Sequence, residues 1–261
     1  MTFNRFYIDL LSLKTEMQFR GYSESTQETY VKTVENFLDY ANKEVIDIKR
    51  EDVISYLDMS LQHLDVNTIL VKLNALEFFF EDVLGLEITA NIRKYKRRFK
   101  VKEFITPEDF HILTASVYER ERITYKIFEE TAMTIEEIVS LQINDLKQEK
   151  NGSWKIRDYS ISKELAREIT DYCDKKYLDK YLFPLDNKDG FMGANTARYW
   201  LRKNTEKFLG RIYSFNDIKH GIALEMIKKG NEKEAAIYLK NKSVASIRQY
   251  YKRAGYDYTQ E

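Results

Sequence analysis

Apolar residues recur at three- and four-residue intervals through most of the chain, the spacing that gathers them on one side of a helix. Phe6, Leu10, Leu13 and Met17 form one such series, and Gly21 ends it. Ser23 stands where an N-cap belongs, ahead of a second series of Tyr30, Val34, Phe37, Leu38 and Ala41. A third, shorter series runs through Val53, Tyr56 and Leu57. A fourth begins near Asp65 or Asn67, carries Leu73, Leu76, Phe79, Phe80 and Val83, and stops at Gly85. Four amphipathic helices joined by short polar loops predict a compact helical domain over residues 1–92.

The pattern then breaks. Between Arg93 and Lys102, Arg93, Lys94, Lys96, Arg97, Arg98, Lys100 and Lys102 make seven basic residues in ten. Directly after this run, Thr106-Pro107-Glu108-Asp109 supplies an N-cap, a proline at the first helical position and two early acids. The basic run therefore reads as a linker over residues 93–104, with a second domain over residues 105–261. That domain opens with helices to about Leu146. A short β region follows, roughly Asp145 to Ser162, where Asn151-Gly152 marks a hairpin turn beside Trp154-Lys155-Ile156-Arg157. Helical spacing resumes from Lys163 to Lys176, Phe183-Pro184 interrupts it, and further helices start near Asn195, Ser214 and Asn231. A last one carries Val244, Ile247, Tyr250 and Tyr251.

Composition narrows the class. Two prolines and nine glycines in 261 residues are too few for a turn-rich sandwich or barrel, which supports a mainly α chain. The apolar share of 43% is that of a folded globular protein rather than a disordered one. Cys173 is the single cysteine, so an internal disulfide framework and a thiolate metal cluster are excluded, and His63, His111 and His220 have no ligand spacing. No metal and no cofactor are expected. No apolar run approaches the roughly 18 residues needed to span a bilayer, and Met1–Asp9 has no secretory layout; the expectation is a cytoplasmic protein without a membrane partner. The formal net charge is zero, so only the local charge of the basic run points towards a polyanion.

Several segments, in order, resemble landmarks of the tyrosine recombinase (phage integrase) family. Gly21-Tyr-Ser-Glu-Ser-Thr26 with Tyr30 and Phe37, and Asn67-Thr68 with Leu73-Asn-Ala-Leu76 and Phe79-Phe80, resemble its core-binding domain. Glu130-Thr-Ala-Met-Thr-Ile-Glu-Glu-Ile-Val-Ser-Leu141 resembles the box that presents the first catalytic arginine. Ser214-Phe-Asn-Asp-Ile-Lys-His-Gly-Ile-Ala223 has the frame of the histidine-x-x-arginine-histidine box. Tyr238-Leu-Lys-Asn-Lys-Ser-Val-Ala-Ser-Ile-Arg-Gln-Tyr250 resembles the segment leading to the nucleophile. The resemblance spans nearly the whole chain. It implies a two-domain DNA breaking-rejoining fold: an N-terminal helical bundle, then a C-terminal helical domain with a small β-hairpin sheet. The implied partner is double-stranded DNA, with other recombinase subunits or self-association on DNA beside it.

In that family a tyrosine oxygen attacks a phosphodiester and becomes joined to the 3′ phosphate. Two arginines clamp the phosphoryl oxygens, a histidine or tryptophan adds a hydrogen bond, and a hairpin lysine and a histidine move protons. This chain departs from that set. The first arginine position falls on Thr134, the opening histidine on Asn216, the second arginine on Lys219 and the later histidine or tryptophan on Asn241. Lysine keeps the charge but not the guanidinium fork. His220 and Tyr250 are retained, Tyr250 being the nucleophile position by residue count, and Lys155 is the best match to the hairpin lysine.

Each of these residues also has a plainer reading. Thr134-Ile-Glu-Glu137 spells a capping box, and Ser214 with Asp217 spells another. Tyr250 is one of nineteen tyrosines and has Tyr251 beside it. Lys219 reads equally as a solvated lysine, and His220 as a core hydrogen-bonding group. The expected function is DNA binding by a recombinase-fold protein that lacks most of its cleavage chemistry, acting as an accessory or regulatory factor in recombination. Two alternatives stand beside it: an active recombinase using Tyr250, Lys219 and Lys155, and a protein-interaction scaffold.

Overall fold

The computed structural model describes residues 5–92, 102–185, 189–241 and 243–256, and the chain divides into two compact units, Met1–Phe99 and Lys100–Glu261. The expected linker residues Arg93, Lys94, Lys96, Arg97, Arg98 and Lys100 lie outside the described residues; Lys102 is described and exposed.

The first unit is built from α1 (Tyr7–Phe19), α2 (Glu24–Ala41), α3 (Arg50–Leu61) and α4 (Val66–Glu77). Ser23 caps α2 by accepting from the Thr26 N–H, and Asp65 caps α4 by accepting from the Asn67 N–H. Leu13, Met17, Val34, Phe37, Leu38, Val53, Leu57, Ile69, Leu73 and Leu76 fill the core between them. One feature was not legible in the spacing. After Glu77 the chain widens into a π-helical turn over Phe78–Val83, in which the Leu84 N–H reaches back to the Phe79 carbonyl at 3.1 Å. Three consecutive phenylalanines, Phe78, Phe79 and Phe80, are all buried there. An α-helix would spread three successive side chains over too wide an arc; the wider turn brings them closer to one face.

The second unit contains α5 (Pro107–Ser116), α6 (Glu119–Thr131), α7 (Ile135–Val139), β1 (Leu146–Gln148), β2 (Trp154–Ile156), β3 (Tyr159–Ile161), α8 (Lys163–Lys176), α9 (Ala194–Leu209), α10 (Phe215–Lys228), α11 (Glu232–Tyr238) and α12 (Val244–Arg253). The expected hairpin is part of an antiparallel three-stranded meander, β1-β2-β3, with Leu146 opposite Ile156 and Ile156 opposite Tyr159. Asn151-Gly152 makes the first turn, with Gly152 at φ +84°. The second turn places Arg157 in the left-handed region at φ +51°. Ile156 is the strand residue that enters the core completely.

Helix α10 holds this unit together because both of its faces are buried. Phe215 and Ile218 pack into the main core with Tyr125, Phe128, Leu165 and Leu201. Ala223, Leu224 and Ile227 pack on a second cluster formed by Phe104, Ala235, Ala236, Ile247 and Tyr251. Phe104, the last residue of the expected linker, is thus part of the unit's packing. Gly221 is needed at the crossing: a Cβ there would lie 2.2 Å from the Ile105 carbonyl oxygen. Among the described residues no helix is long and apolar enough to cross a membrane.

Candidate active site

Thr134 stands at the junction of α6 and α7. Ala132 takes a left-handed conformation, φ +48°, and ends α6; the chain then reverses so that Thr134 caps α7. Its hydroxyl accepts from the Glu137 N–H at 3.2 Å, and the Glu137 carboxylate accepts from the Thr134 N–H at 2.6 Å and from its hydroxyl at 2.8 Å. Those hydrogen bonds, aided by Lys240 and Arg157, hold the Glu137 carboxyl below the usual range. Both polar groups of Thr134 are therefore committed to starting a helix.

Asn216, Lys219 and His220 lie on α10, whose start repeats the device: Asp217 accepts from the Ser214 N–H at 2.8 Å and from its hydroxyl at 2.6 Å. The fold brings Thr134, Asn216 and Lys219, up to 85 positions apart in sequence, to the wall of one open cavity of about 600 Å³. The remaining expected residues lie elsewhere. Asn241 is exposed and accepts from the Ser243 N–H at 3.1 Å. Lys155, on β2, pairs with Glu149 at 3.7 Å.

The cavity also holds two cations that the sequence analysis did not single out, Arg198 and Arg202 on α9. They are four residues apart and so share a helix face, a spacing that could have flagged them. Arg198 is engaged by Glu136 at 2.5 Å and by Asn195 at 3.1 Å. Lys219 is half-buried, and burial together with the nearby Lys240 pushes its ammonium below the ordinary lysine range.

The two neighbouring tyrosines differ sharply. Tyr251 is fully enclosed. Its hydroxyl donates to the His220 backbone carbonyl at 2.9 Å and meets the His220 Nδ1 at 3.1 Å. Because the hydroxyl proton is spent on the carbonyl, Nδ1 must be the donor to Tyr251, which leaves Nε2 without a proton. Burial, with Lys102 and Lys219 adding to it, lowers the His220 pKa to about 4, so the ring is neutral at pH 7. Tyr250 is half-buried, its ring stacked on His220 at 4.5 Å, and Phe104 lies 5.3 Å from the imidazole and 6.4 Å from the Tyr250 ring, near-parallel to both. The Tyr250 hydroxyl has no hydrogen-bond partner among the described residues, and burial, then Asp217, raises its pKa above 10. The neutral histidine beside it supplies no positive charge.

A helical bundle followed by a helical unit around a three-stranded sheet, with a tyrosine on its final helix, is the architecture that the sequence resemblance implied. Residues 10–90 match the family described as phage integrase, N-terminal SAM-like domain. A tyrosine recombinase of Thermosipho africanus (strain TCF52B) is 22% identical over 234 residues, covering 81% of this chain and 82% of that protein. Lambda integrase bound to DNA has the same fold, with a TM-score of 0.71 at 13% identity over 97% of each chain. XerH site-specific recombinase bound to difH substrate, a pre-cleavage complex, superposes with a TM-score of 0.64 at 16% identity, over 91% of this chain and 81% of that one. The chain is thus similar in sequence to a tyrosine recombinase over most of its length, carries the integrase N-terminal domain over residues 10–90, and shares the fold of lambda integrase.

Proposed function

We propose that this chain is a duplex-DNA-binding protein of recombination whose strand-cleavage chemistry is lost or severely weakened, and that it acts as an accessory or regulatory factor. The observation that carries the reading is the state of Thr134. The position that would hold the first phosphate-clamping arginine bears no charge, and its hydroxyl and N–H are both consumed by Glu137. Removing one preorganised electrostatic donor from a site of this kind costs roughly 100- to 1000-fold in rate. Tyr250 compounds the loss: a tyrosine held above its ordinary pKa, with a neutral histidine as neighbour, is a poor nucleophile. Two solved relatives are complexes with DNA, lambda integrase and XerH, and another is a lambda integrase tetramer on a Holliday junction; on that likeness this chain binds duplex DNA and associates with recombinase subunits.

The basic run is part of the proposal. Arg93, Lys94, Lys96, Arg97, Arg98, Lys100 and Lys102 join domains 1–92 and 105–261 and contact the phosphate backbone without reading bases. The test is duplex affinity as a function of salt for the full chain. Wild type is expected to bind many sequences with an affinity that falls steeply as salt rises, and neutralising Arg97, Arg98 and Lys100 together is expected to flatten that slope by about three counterions. An unaltered slope in the triple variant removes the linker from the interface, and absence of binding at low salt removes the function.

The alternative is an active recombinase with an atypical residue set around Tyr250, His220, Lys219 and Lys155. It draws on one observation, the guanidinium of Arg202 at the same cavity as Lys219. A covalent protein–DNA product separates the two.

A further inference from the structure

The second unit has another cavity, of about 350 Å³, bounded by the start of α5, the end of α6 and the second half of α10. Its walls are apolar, formed by Ile105, Pro107, Phe110, Ile222 and Met226. One carboxyl stands among them, that of Glu129 on α6. The residue is half-buried, and its carboxylate makes no hydrogen bond or ion pair with any described residue.

The cations that could serve Glu129 are engaged elsewhere. Lys126, one turn earlier on α6, is held by Glu168 at 2.7 Å. Glu225, also in the cavity wall, takes Lys228 at 2.6 Å. Lys229, the residue that ends α10, lines the cavity but is exposed and pairs with no described acid. The remaining titratable neighbours bring no relief. Glu130 accepts from the N–H and hydroxyl of Ser162, and its charge opposes a second one beside it. The Tyr238 hydroxyl of α11 gives its proton to the Phe128 carbonyl at 3.4 Å, and α5 contributes no titratable group to the wall. A carboxyl that loses water without gaining a partner is costly to ionise, and the Glu129 pKa is accordingly raised to about 7. An ammonium ion in the cavity would recover that cost by pairing with the carboxylate, while an apolar body attached to it would cover the walls.

We propose that this cavity is a binding site for a small organic cation, an ammonium group carried on a compact apolar body, with Glu129 as its anchor. The class follows from the lining. A metal ion would find too few ligands, since no group of three or more metal-ligating side chains occurs among the described residues. An anion would meet Glu129 and Glu225, and a neutral apolar molecule would leave the carboxyl unpaired. The cavity shares no wall residue with that of Thr134, Asn216 and Lys219, and the proposal is independent of the DNA-binding reading.

The probe is benzylamine, with benzyl alcohol as its uncharged counterpart. The full chain carries isotope-labelled methionine methyl groups, and Met226→Leu assigns the Met226 signal. Near pH 8 benzylamine is expected to move that signal saturably, with a Kd on the order of 1 mM, and benzyl alcohol to bind at least about 10-fold more weakly. The cation pairs with the ionised carboxylate, so its affinity is expected to fall about 10-fold or more near pH 5.5, where Glu129 is protonated. Glu129→Gln is expected to bind benzylamine near pH 8 no better than wild type does at the lower pH, and to lose the pH dependence. Because it removes an unpaired charge, this variant is expected to fold at least as stably as wild type. Lys229→Gln is expected to bind at least as well as wild type. A Met226 signal that ignores benzylamine, or equal binding of benzyl alcohol, overturns the site. Affinity that does not fall at the lower pH, that is unchanged in Glu129→Gln or that is lost in Lys229→Gln also overturns it. So does a Met226 signal that moves with protein concentration and not with benzylamine, which would place a second copy of the chain in the cavity.

Discussion

Replacing Tyr251 by phenylalanine removes one oxygen atom, and the structure gives the size of the effect. That oxygen is fully enclosed, donates to the His220 carbonyl at 2.9 Å and accepts from the His220 Nδ1 at 3.1 Å. In Tyr251→Phe the carbonyl keeps its place in the α10 ladder, whereas the half-buried imidazole loses the partner of its Nδ1. A net hydrogen bond contributes about 1 kcal/mol and an orphaned buried polar group costs about 1–3 kcal/mol, so the variant is expected to lose about 2–3 kcal/mol. Tyr250→Phe removes a hydroxyl that has no partner among the described residues, and it is expected to stay within about 0.5 kcal/mol of wild type. Urea denaturation followed by tryptophan fluorescence is the assay, because Trp154 and Trp200 both lie in the second unit and report on it alone. For a unit of this size the Tyr251→Phe loss corresponds to roughly 5–10 °C in melting temperature. Equal stability of the two variants, or a larger loss in Tyr250→Phe, refutes the assignment of Tyr251 as the structural tyrosine and Tyr250 as the available one.

Gly221→Ala drives a Cβ to 2.2 Å from the Ile105 carbonyl oxygen, so thermal unfolding is expected to show a loss of at least about 2 kcal/mol; a neutral result means α10 does not cross Ile105 as described. Thr134→Val removes a cap that closes α7 and is expected to cost about 1 kcal/mol in the same assay, with no fall in duplex affinity; a large drop in affinity would make Thr134 a ligand contact. Glu129 lines a separate cavity beside Gly221 and Met226, and burial raises its carboxyl pKa to about 7 from an ordinary 4.5. Folded protein therefore binds more protons than unfolded protein between those values, so this contribution to stability is present below pH 4.5 and lost as pH rises through 7. Glu129→Gln is expected to match wild type near pH 5 and to exceed it by about 1–2 kcal/mol at pH 8, the full shift being discounted for the carboxyl's access to water; a pH-independent difference would show that Glu129 titrates normally.

Much of this was legible because it is local. Helix starts are spelled by adjacent residues, so Ser23, Thr106, Thr134 and Ser214 were identifiable as caps, and the structure has each accepting from the expected backbone N–H. The two-domain, mainly α fold with a small sheet followed from periodicity joined to the family resemblance. What escaped was whatever depends on side chains meeting across distant segments. The approach of Thr134, Asn216 and Lys219 to one cavity was implied only by the resemblance, and nothing in the spacing of Arg198 and Arg202 says which cavity they face. Lys240, which follows the end of α11 and takes the left-handed conformation at φ +53°, was hidden differently. Its signal is a backbone conformation, and the residue type normally expected at such a helix end is glycine, so a lysine there reads as an ordinary solvated residue until its φ is known. The π-helical turn at Phe78–Val83 is a similar case, because three adjacent phenylalanines fit an α-helical pattern poorly without indicating the alternative.

The central claim is that the chain binds duplex DNA but does not become joined to it, and trapping on a nicked suicide duplex tests that claim most directly. Wild-type protein is incubated with a duplex whose cleaved end diffuses away, and denaturing electrophoresis then detects any covalent product. The account predicts a native protein–DNA complex, no denaturant-stable adduct, and unchanged affinity in Tyr250→Phe, since Thr134 and Asn216 carry no charge and the Tyr250 hydroxyl is held above its ordinary pKa. A denaturant-stable adduct formed by wild type and absent in Tyr250→Phe would contradict it, and would show that Tyr250 acts as a nucleophile although Thr134 and Lys219 stand where the two arginines are expected.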